Sequence, residues 1–221
     1  MTDNAFRLRL DSGVKRATAV TLVHDVLHSA ILRGDLPGNS RLVQTEIAQQ
    51  LGVSTTPVRE AMRDLATAGF IVMESYKIGI VCQPGWEEME EIVGIRRALE
   101  PMALDLAMKH ADDAFLDEAE ARAVELRDIS DVGTWVQMNS AFHSMFHRRT
   151  HTKRLVGLLE GLENAGGLFV AQAQRLQPEI RDRAVADHFD LIEAFRNRDL
   201  ARAIEIQHEH LSLPLLASKA N

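Results

Sequence analysis

The chain has 221 residues, 46% hydrophobic and 5% aromatic, with a formal net charge of −7 from 25 basic and 32 acidic side chains. That length suits two modest domains, and its Leu, Ala, Glu and Arg content favours helices over an all-β architecture. No stretch approaches the roughly 20 apolar residues that span a bilayer, the segment from Met1 to Arg7 lacks the apolar block of a signal peptide, and the lone Cys82 excludes an intrachain disulfide or a multi-cysteine zinc cluster. A cytoplasmic protein with no membrane partner is expected.

Charge is unevenly distributed. Residues 1–84 carry 9 basic against 8 acidic side chains, and residues 85–221 carry 16 against 24. The acidity belongs to the second part, which leaves the first part free to approach a polyanion.

After a polar tail, Val20, Val23, Val26, Leu27, Ala30 and Ile31 recur at helical spacing until Gly34-Asp35-Leu36-Pro37-Gly38 stops them. A short helix from about Gln44 to Gln50 follows, with Gly52 as its C-terminal turn and Ser54 placed to cap a third helix. Pro57 falls in the first turn of that helix, where its missing N–H costs nothing. Val58, Ala61, Met62 and Leu65 form the buried stripe. Thr55, Arg59 and Arg63 share the opposite face, with Thr56 beside them. Two short apolar strands, Phe70 to Glu74 and Gly79 to Cys82, flank a polar tip at Ser75-Tyr76-Lys77-Ile78.

Taken alone, the Arg59 and Arg63 pair describes an ordinary solvated helix face as well as a DNA contact. The succession of helix, glycine turn, capped helix and hairpin favours a winged helix-turn-helix, in which hydroxyls and helix N-terminal N–H groups hold phosphate and Arg reads guanine. The candidate DNA contacts are Thr45, Ser54, Thr55, Thr56, Arg59, Arg63 and, at the hairpin tip, Lys77.

The run from Glu46 to Leu65, EIAQQLGVSTTPVREAMRDL, resembles the GntR family of bacterial regulators. Members commonly carry Arg where this chain has Thr55, at a position that contacts DNA. The resemblance therefore puts more weight on Arg59 and implies an altered operator preference.

Gln83-Pro84-Gly85 breaks the strand, so residues 1–83 are read as the DNA-binding domain and residues 84–221 as a second, all-helical one. The expected fold is mainly α, with an antiparallel bundle of about six helices behind the winged domain. The bundle helices are expected at about 86–110, 112–129, 134–149, 153–175, 179–197 and 199–217, with Asp112, Thr134, Thr152 and Asp199 as caps. Gly157, Gly161, Gly166 and Gly167 fall within the fourth helix, marking either a kink or close helix crossing or room for a ligand against backbone.

His143, His188 and His210 each sit on an apolar helix face, on three different helices. A lone inward histidine is more often a core residue with one hydrogen bond. Three that converge are costly to bury unpaired, and a divalent cation satisfies them together, with Asn139 one turn before His143 as a possible oxygen donor. His110, His151 and His208 are read as surface residues, and His147 as either solvated or in contact with a ligand.

The segment from Trp86 to Ser218 is similar to the helical effector domain of the FadR subfamily, the FCD domain. Many such domains hold a metal through an Asp or Asn four residues before a His, plus two later His residues. The resemblance places Asn139, His143, His188 and His210 on those positions, with Zn expected and Ni or Mn as alternatives. Asn in place of the commoner Asp removes one negative charge from the site. Arg96-Arg97-Ala98-Leu99-Glu100 resembles the motif in which the first Arg pairs with an effector carboxylate. The competing reading is an i,i+4 salt bridge from Arg96 to Glu100.

The function expected is a homodimeric regulator that reads palindromic double-stranded operator DNA and is controlled by a small carboxylic acid, with Arg96, Asn139 and His147 as effector contacts. A second reading makes the metal itself the signal. A third, a metal-assisted hydrolase, is disfavoured because no nearby carboxylate has an assignable general-base role.

Overall fold

A computed structural model of the chain describes residues 19–83 and 85–219, and it separates into two compact units on either side of Pro84 and Gly85.

The first unit contains α1 (Ala19–Arg33), β1 (Arg41–Val43), α2 (Gln44–Leu51), α3 (Thr55–Thr67), β2 (Ile71–Ser75) and β3 (Ile78–Val81). Its core is the expected apolar stripe. Val23, Leu27 and Ala30 of α1 meet Val58, Ala61, Met62 and Leu65 of α3, and all seven are fully buried. Gly52 ends α2 in the left-handed conformation at φ 66°, with its N–H on the carbonyl of Ala48, a geometry that a side chain resists.

The hairpin is part of a larger sheet than the sequence suggested. β1, a strand of three residues, pairs antiparallel with β3 and gives the order β1-β3-β2. Three residues carry no period from which to read a strand. Leu42 lies opposite Gly79, where a Cβ would stand 2.9 Å from Met62 Cε and 3.0 Å from Ile71 Cδ1. Glycine at that position lets the sheet close on α3.

The second unit contains α4 (Trp86–His110), α5 (Asp113–Asp128), α6 (Val132–Arg149), α7 (Lys153–Leu176), α8 (Glu179–Arg196), α9 (Leu200–His210) and α10 (Leu213–Lys219). The last helix expected from sequence is broken after His210, with the chain turning through Leu211 and Ser212 before α10. Pro214 explains the break, because it lacks the N–H that would bond the carbonyl of His210.

Asp112 and Asp199 cap α5 and α9 by accepting from Phe115 N and Arg202 N. Thr134 is not a cap: α6 begins two residues earlier, and Asp131 accepts both the Thr134 N–H at 2.8 Å and its hydroxyl at 2.7 Å. Neither Ser54 nor Thr152 makes a side-chain cap bond, although each stands at the cap position.

Pro101 lies inside α4 without ending it. The missing N–H orphans the carbonyl of Arg97, which instead accepts from His208 Nε2 at 3.2 Å. Arg97 Nη2 returns to the His208 carbonyl at 3.2 Å and to Ser212 Oγ at 2.5 Å. This exchange ties α4 to the last turn of α9 and, through Ser212, to the turn before α10.

Met89, Ile92 and Val93 of α4 pack with Phe169 of α7 and Leu211, while Phe142, Phe146 and Phe195 form an aromatic layer between α6 and α8. Among the described residues, no helix is long and apolar enough to cross a membrane.

Candidate functional site

In the first unit, Thr45, Ser54, Thr55, Thr56, Arg63 and Lys77 are all exposed, on the start of α2, the start of α3 and the hairpin tip. Arg59 differs. It is half-buried, its Nη1 donates to the hydroxyl of Tyr76 at 2.9 Å, and its guanidinium lies 5.8 Å from the Tyr76 ring centroid. The tip is anchored in turn: buried Gln44 donates from Nε2 to the Tyr76 carbonyl at 3.0 Å, and its backbone N–H donates to the Lys77 carbonyl. Sequence reasoning missed both Gln44 and Tyr76. A tyrosine in a polar turn reads as a surface residue unless its partner is known.

In the second unit, α6, α8 and α9 bring His143, His188 and His210 together. Each offers one ring nitrogen, and these atoms lie within 4.8 Å of one another. His143 Nε2 and His210 Nε2 are 3.0 Å apart. Two such nitrogens either share one proton or face one cation.

Burial, followed by the neighbouring imidazoles, holds His143 and His188 well below the usual histidine range, so both are neutral with lone pairs available. His188 stacks on Phe142 with centroids 4.2 Å apart. Among the described residues, both of its ring nitrogens, and Oδ1 of Asn139, are buried without a protein partner. His210 donates from Nδ1 to Asp187 Oδ2 at 3.3 Å, which turns Nε2 toward the other two rings. Neutral imidazoles, an orphaned amide oxygen and a carboxylate behind one ring make a donor set that suits a divalent cation.

Beside the histidines lies a partly open cavity, about 550 Å³ when its mouth to solvent is included. Its polar wall is Arg96, Asn139, His143, Glu163, Gln174 and His210, and its apolar wall includes Met89, Ile92, Val93, Val170 and Leu213. Gly166 also lines it, and a Cβ there, as at Gly157 and Gly161, would meet nothing within 4 Å. Gly166 leaves open space on the cavity side, whereas Gly157 and Gly161 are exposed to solvent and lie outside the wall.

Arg96 is buried and already paired. Its Nε and Nη2 donate to Glu100 Oε1 at 3.1 and 2.8 Å, the i,i+4 bridge considered from sequence, and Nη2 also meets Glu163 Oε2 at 2.6 Å. Glu100 accepts from His147 Nε2 as well, at 3.2 and 3.3 Å. Burial alone would raise the Glu100 carboxyl, but the His147 hydrogen bond and the Arg96 charge hold it at about 2. His147 is thus neither solvated nor part of the cavity wall; it is 2% exposed and turned to Glu100.

Sequence reasoning assigned no carboxylate to this cavity and missed Glu163, Gln174, Trp135 and Asp187. One signal was present: Leu155, Leu159, Glu163, Gly166 and Gln174 follow one helical stripe, so an acid and an amide stand where apolar residues belong.

Residues 91–213 match the FCD domain, and residues 21–77 match the family described as bacterial regulatory proteins, gntR family. The chain is 28% identical over 219 residues to the "Probable D-xylose utilization operon transcriptional repressor" of Paenarthrobacter nicotinovorans, covering 95% of this chain and 94% of that one. A match to the "Uncharacterized HTH-type transcriptional regulator YdhC" of Bacillus subtilis, also 28% identical, spans 62% of this chain and 63% of that one. The solved structure of E. coli McbR/YncC superposes with a TM-score of 0.77 at 23% identity, over 93% of this chain and all of that one, a likeness of fold.

Proposed function

We propose, starting from the fact that the chain belongs to the GntR family of bacterial regulatory proteins and carries an FCD domain, that this transcriptional regulator changes its operator affinity when a small carboxylate binds with a divalent metal in the helical unit. The observation that carries the reading is the convergence of His143, His188 and His210, with His143, His210 and Asn139 on the wall of one cavity. The role is the non-enzymatic one of its relatives.

His143, His188 and His210 would hold the ion, with Asn139 offering its amide oxygen. A bound divalent ion supplies positive charge and a coordination position for one oxygen of a carboxylate. Arg96 stands in the same wall, and none of its described bonds to Glu100 and Glu163 uses Nη1, so that group would be available to an incoming acid. Zn is the ion that three imidazoles favour, with Ni and Mn as competitors.

On the output side, Arg59, Arg63 and Thr56 form the base-reading face, with Thr45, Ser54, Thr55 and Lys77 as further contacts. Two copies in a homodimer would read a palindrome. The reading is tested by gel shift on the protein's own promoter with metal-stripped and Zn-loaded protein, each with and without a panel of small carboxylic acids. An acid-dependent change that requires Zn and is lost in His143→Ala is the expected outcome. A shift that no acid alters refutes effector control, and a response to Zn alone makes the metal the signal.

A further inference from the structure

We infer that the effector is an amino carboxylate with an apolar body, an amphipathic zwitterion rather than a di- or tricarboxylate. This rests on the carboxylate reading above and sharpens it.

Arg96 carries one positive charge and meets two carboxylates, Glu100 and Glu163. Glu100 is 1% exposed, stands outside the cavity wall, and is bonded to both Arg96 and His147. Glu163 is placed differently. It is 6% exposed, lines the cavity, and its described contact is with Arg96 alone.

A carboxylate offers about four acceptor sites, and a guanidinium at one edge leaves the others directed at the space the ligand would fill. A second anionic group on the ligand would meet Glu163, itself 6% exposed, and like charges repel strongly when they are shielded from water. An ammonium group would be its natural partner.

Two further observations agree. Gln174 is 4% exposed and lines the cavity, and its Oε1 and Nε2 both lack a partner, so it both accepts and donates toward a bound molecule. The remaining wall, from Met89, Ile92, Val93 and Val170, is apolar and suits a hydrocarbon side chain rather than a polyacid. A carboxylate at Arg96 and the histidines, an ammonium at Glu163, and an apolar side chain against α4 and α7 together match a hydrophobic amino acid.

The test is calorimetric titration of full-length, Zn-loaded protein with leucine, methionine and phenylalanine, with their deaminated counterparts 4-methylpentanoate, 4-(methylthio)butanoate and 3-phenylpropanoate, and with succinate and citrate. A buried hydrogen bond to a charged group contributes enough for about a tenfold preference. At least one amino acid should therefore bind about tenfold tighter than its deaminated form and tighter than either polyacid. Glu163→Gln should collapse that ratio to near unity while binding of the deaminated acid persists.

Tightest binding by succinate or citrate, or a ratio unchanged in Glu163→Gln, overturns this inference and leaves the carboxylate reading standing. Absence of binding by every acid defeats the carboxylate reading itself. If the variant does not fold, as judged by circular dichroism, the ratio in the unmodified protein decides alone.

Discussion

Replacing Asp187 by Asn isolates the part of the histidine cluster that only the fold explains. Asp187 touches no other ring of the cluster; it accepts from His210 Nδ1 at 3.3 Å, and the opposite nitrogen of that ring faces His143 Nε2 at 3.0 Å. The carboxylate fixes the proton on Nδ1 and keeps the Nε2 lone pair pointed at the shared centre. The substitution keeps the shape and removes the charge. Losing an outer partner of this kind weakens metal binding by about 10- to 100-fold, or about 1.4–2.7 kcal/mol. The hydrogen bond is long and the two side chains are 10% and 15% exposed, which puts the expected loss near tenfold. Competition for Zn against a chromophoric chelator at neutral pH measures it. Glu209→Gln serves as control, because Glu209 faces Arg183 at 3.9 Å on the surface. A change below about twofold, or an equal loss in the control, refutes the idea that Asp187 orients a metal-binding His210.

Three other outcomes follow from the same structure. Tyr76→Phe removes the hydroxyl that holds Arg59, so affinity for the specific operator should fall by about 1 kcal/mol while affinity for unrelated DNA and its salt dependence stay unchanged in fluorescence anisotropy; equal loss on both DNAs would point to a folding defect. The Glu100 carboxyl lies at about 2 against an ordinary 4.5, a depressed value, so the stability it contributes is fully present above about 4.5 and is lost as pH falls toward 2. That contribution is about 3 kcal/mol, and the urea midpoint should fall across that window more steeply than in Glu100→Gln. Gly166→Ala should raise helix stability by about 0.5–1 kcal/mol, because the added Cβ meets nothing within 4 Å, yet weaken binding of bulky ligands because Gly166 lines the cavity; a melting curve and a titration separate the two effects.

Elements with a long apolar period were legible in the sequence. The stripes of α1 and α3, the inward histidines and the glycine that ends α2 all follow from residue spacing. What escaped has physical reasons. β1 is three residues long, too short to show alternation. α6 starts at Val132, capped by Asp131 rather than Thr134, because a carboxylate that accepts both the amide and the hydroxyl of Thr134 outcompetes that hydroxyl as a cap. Glu163 and Gln174 escaped because a charged or amide side chain on an apolar stripe carries no local mark of its partner, and that partner, in the case of Glu163, lies on another helix. His147 could be read as ligand contact or solvated surface until Glu100 was seen to claim it.

A ligand in the cavity acts on DNA only if it favours one of two arrangements of the chain over the other. α4 is the element through which the covalent path runs. It begins at Trp86, directly after Gly85, and Met89, Ile92 and Val93 line the cavity within about two helical turns of that start. The same helix is held farther along by the Arg97 and His208 exchange that Pro101 makes possible. If the proposed effector binds there, a helix held at its middle and contacted near its start would pass a displacement toward that start. Breaking the anchor should therefore uncouple the two events while preserving each one. In His208→Ala, which leaves the Arg97 carbonyl without its side-chain partner, acid binding by calorimetry and operator binding by anisotropy should both persist, whereas the change in operator affinity caused by the acid should shrink. Full retention of that change would show that the His208 side-chain bond to the Arg97 carbonyl does not carry the coupling, since the Arg97 bonds to the residue 208 carbonyl and to Ser212 remain.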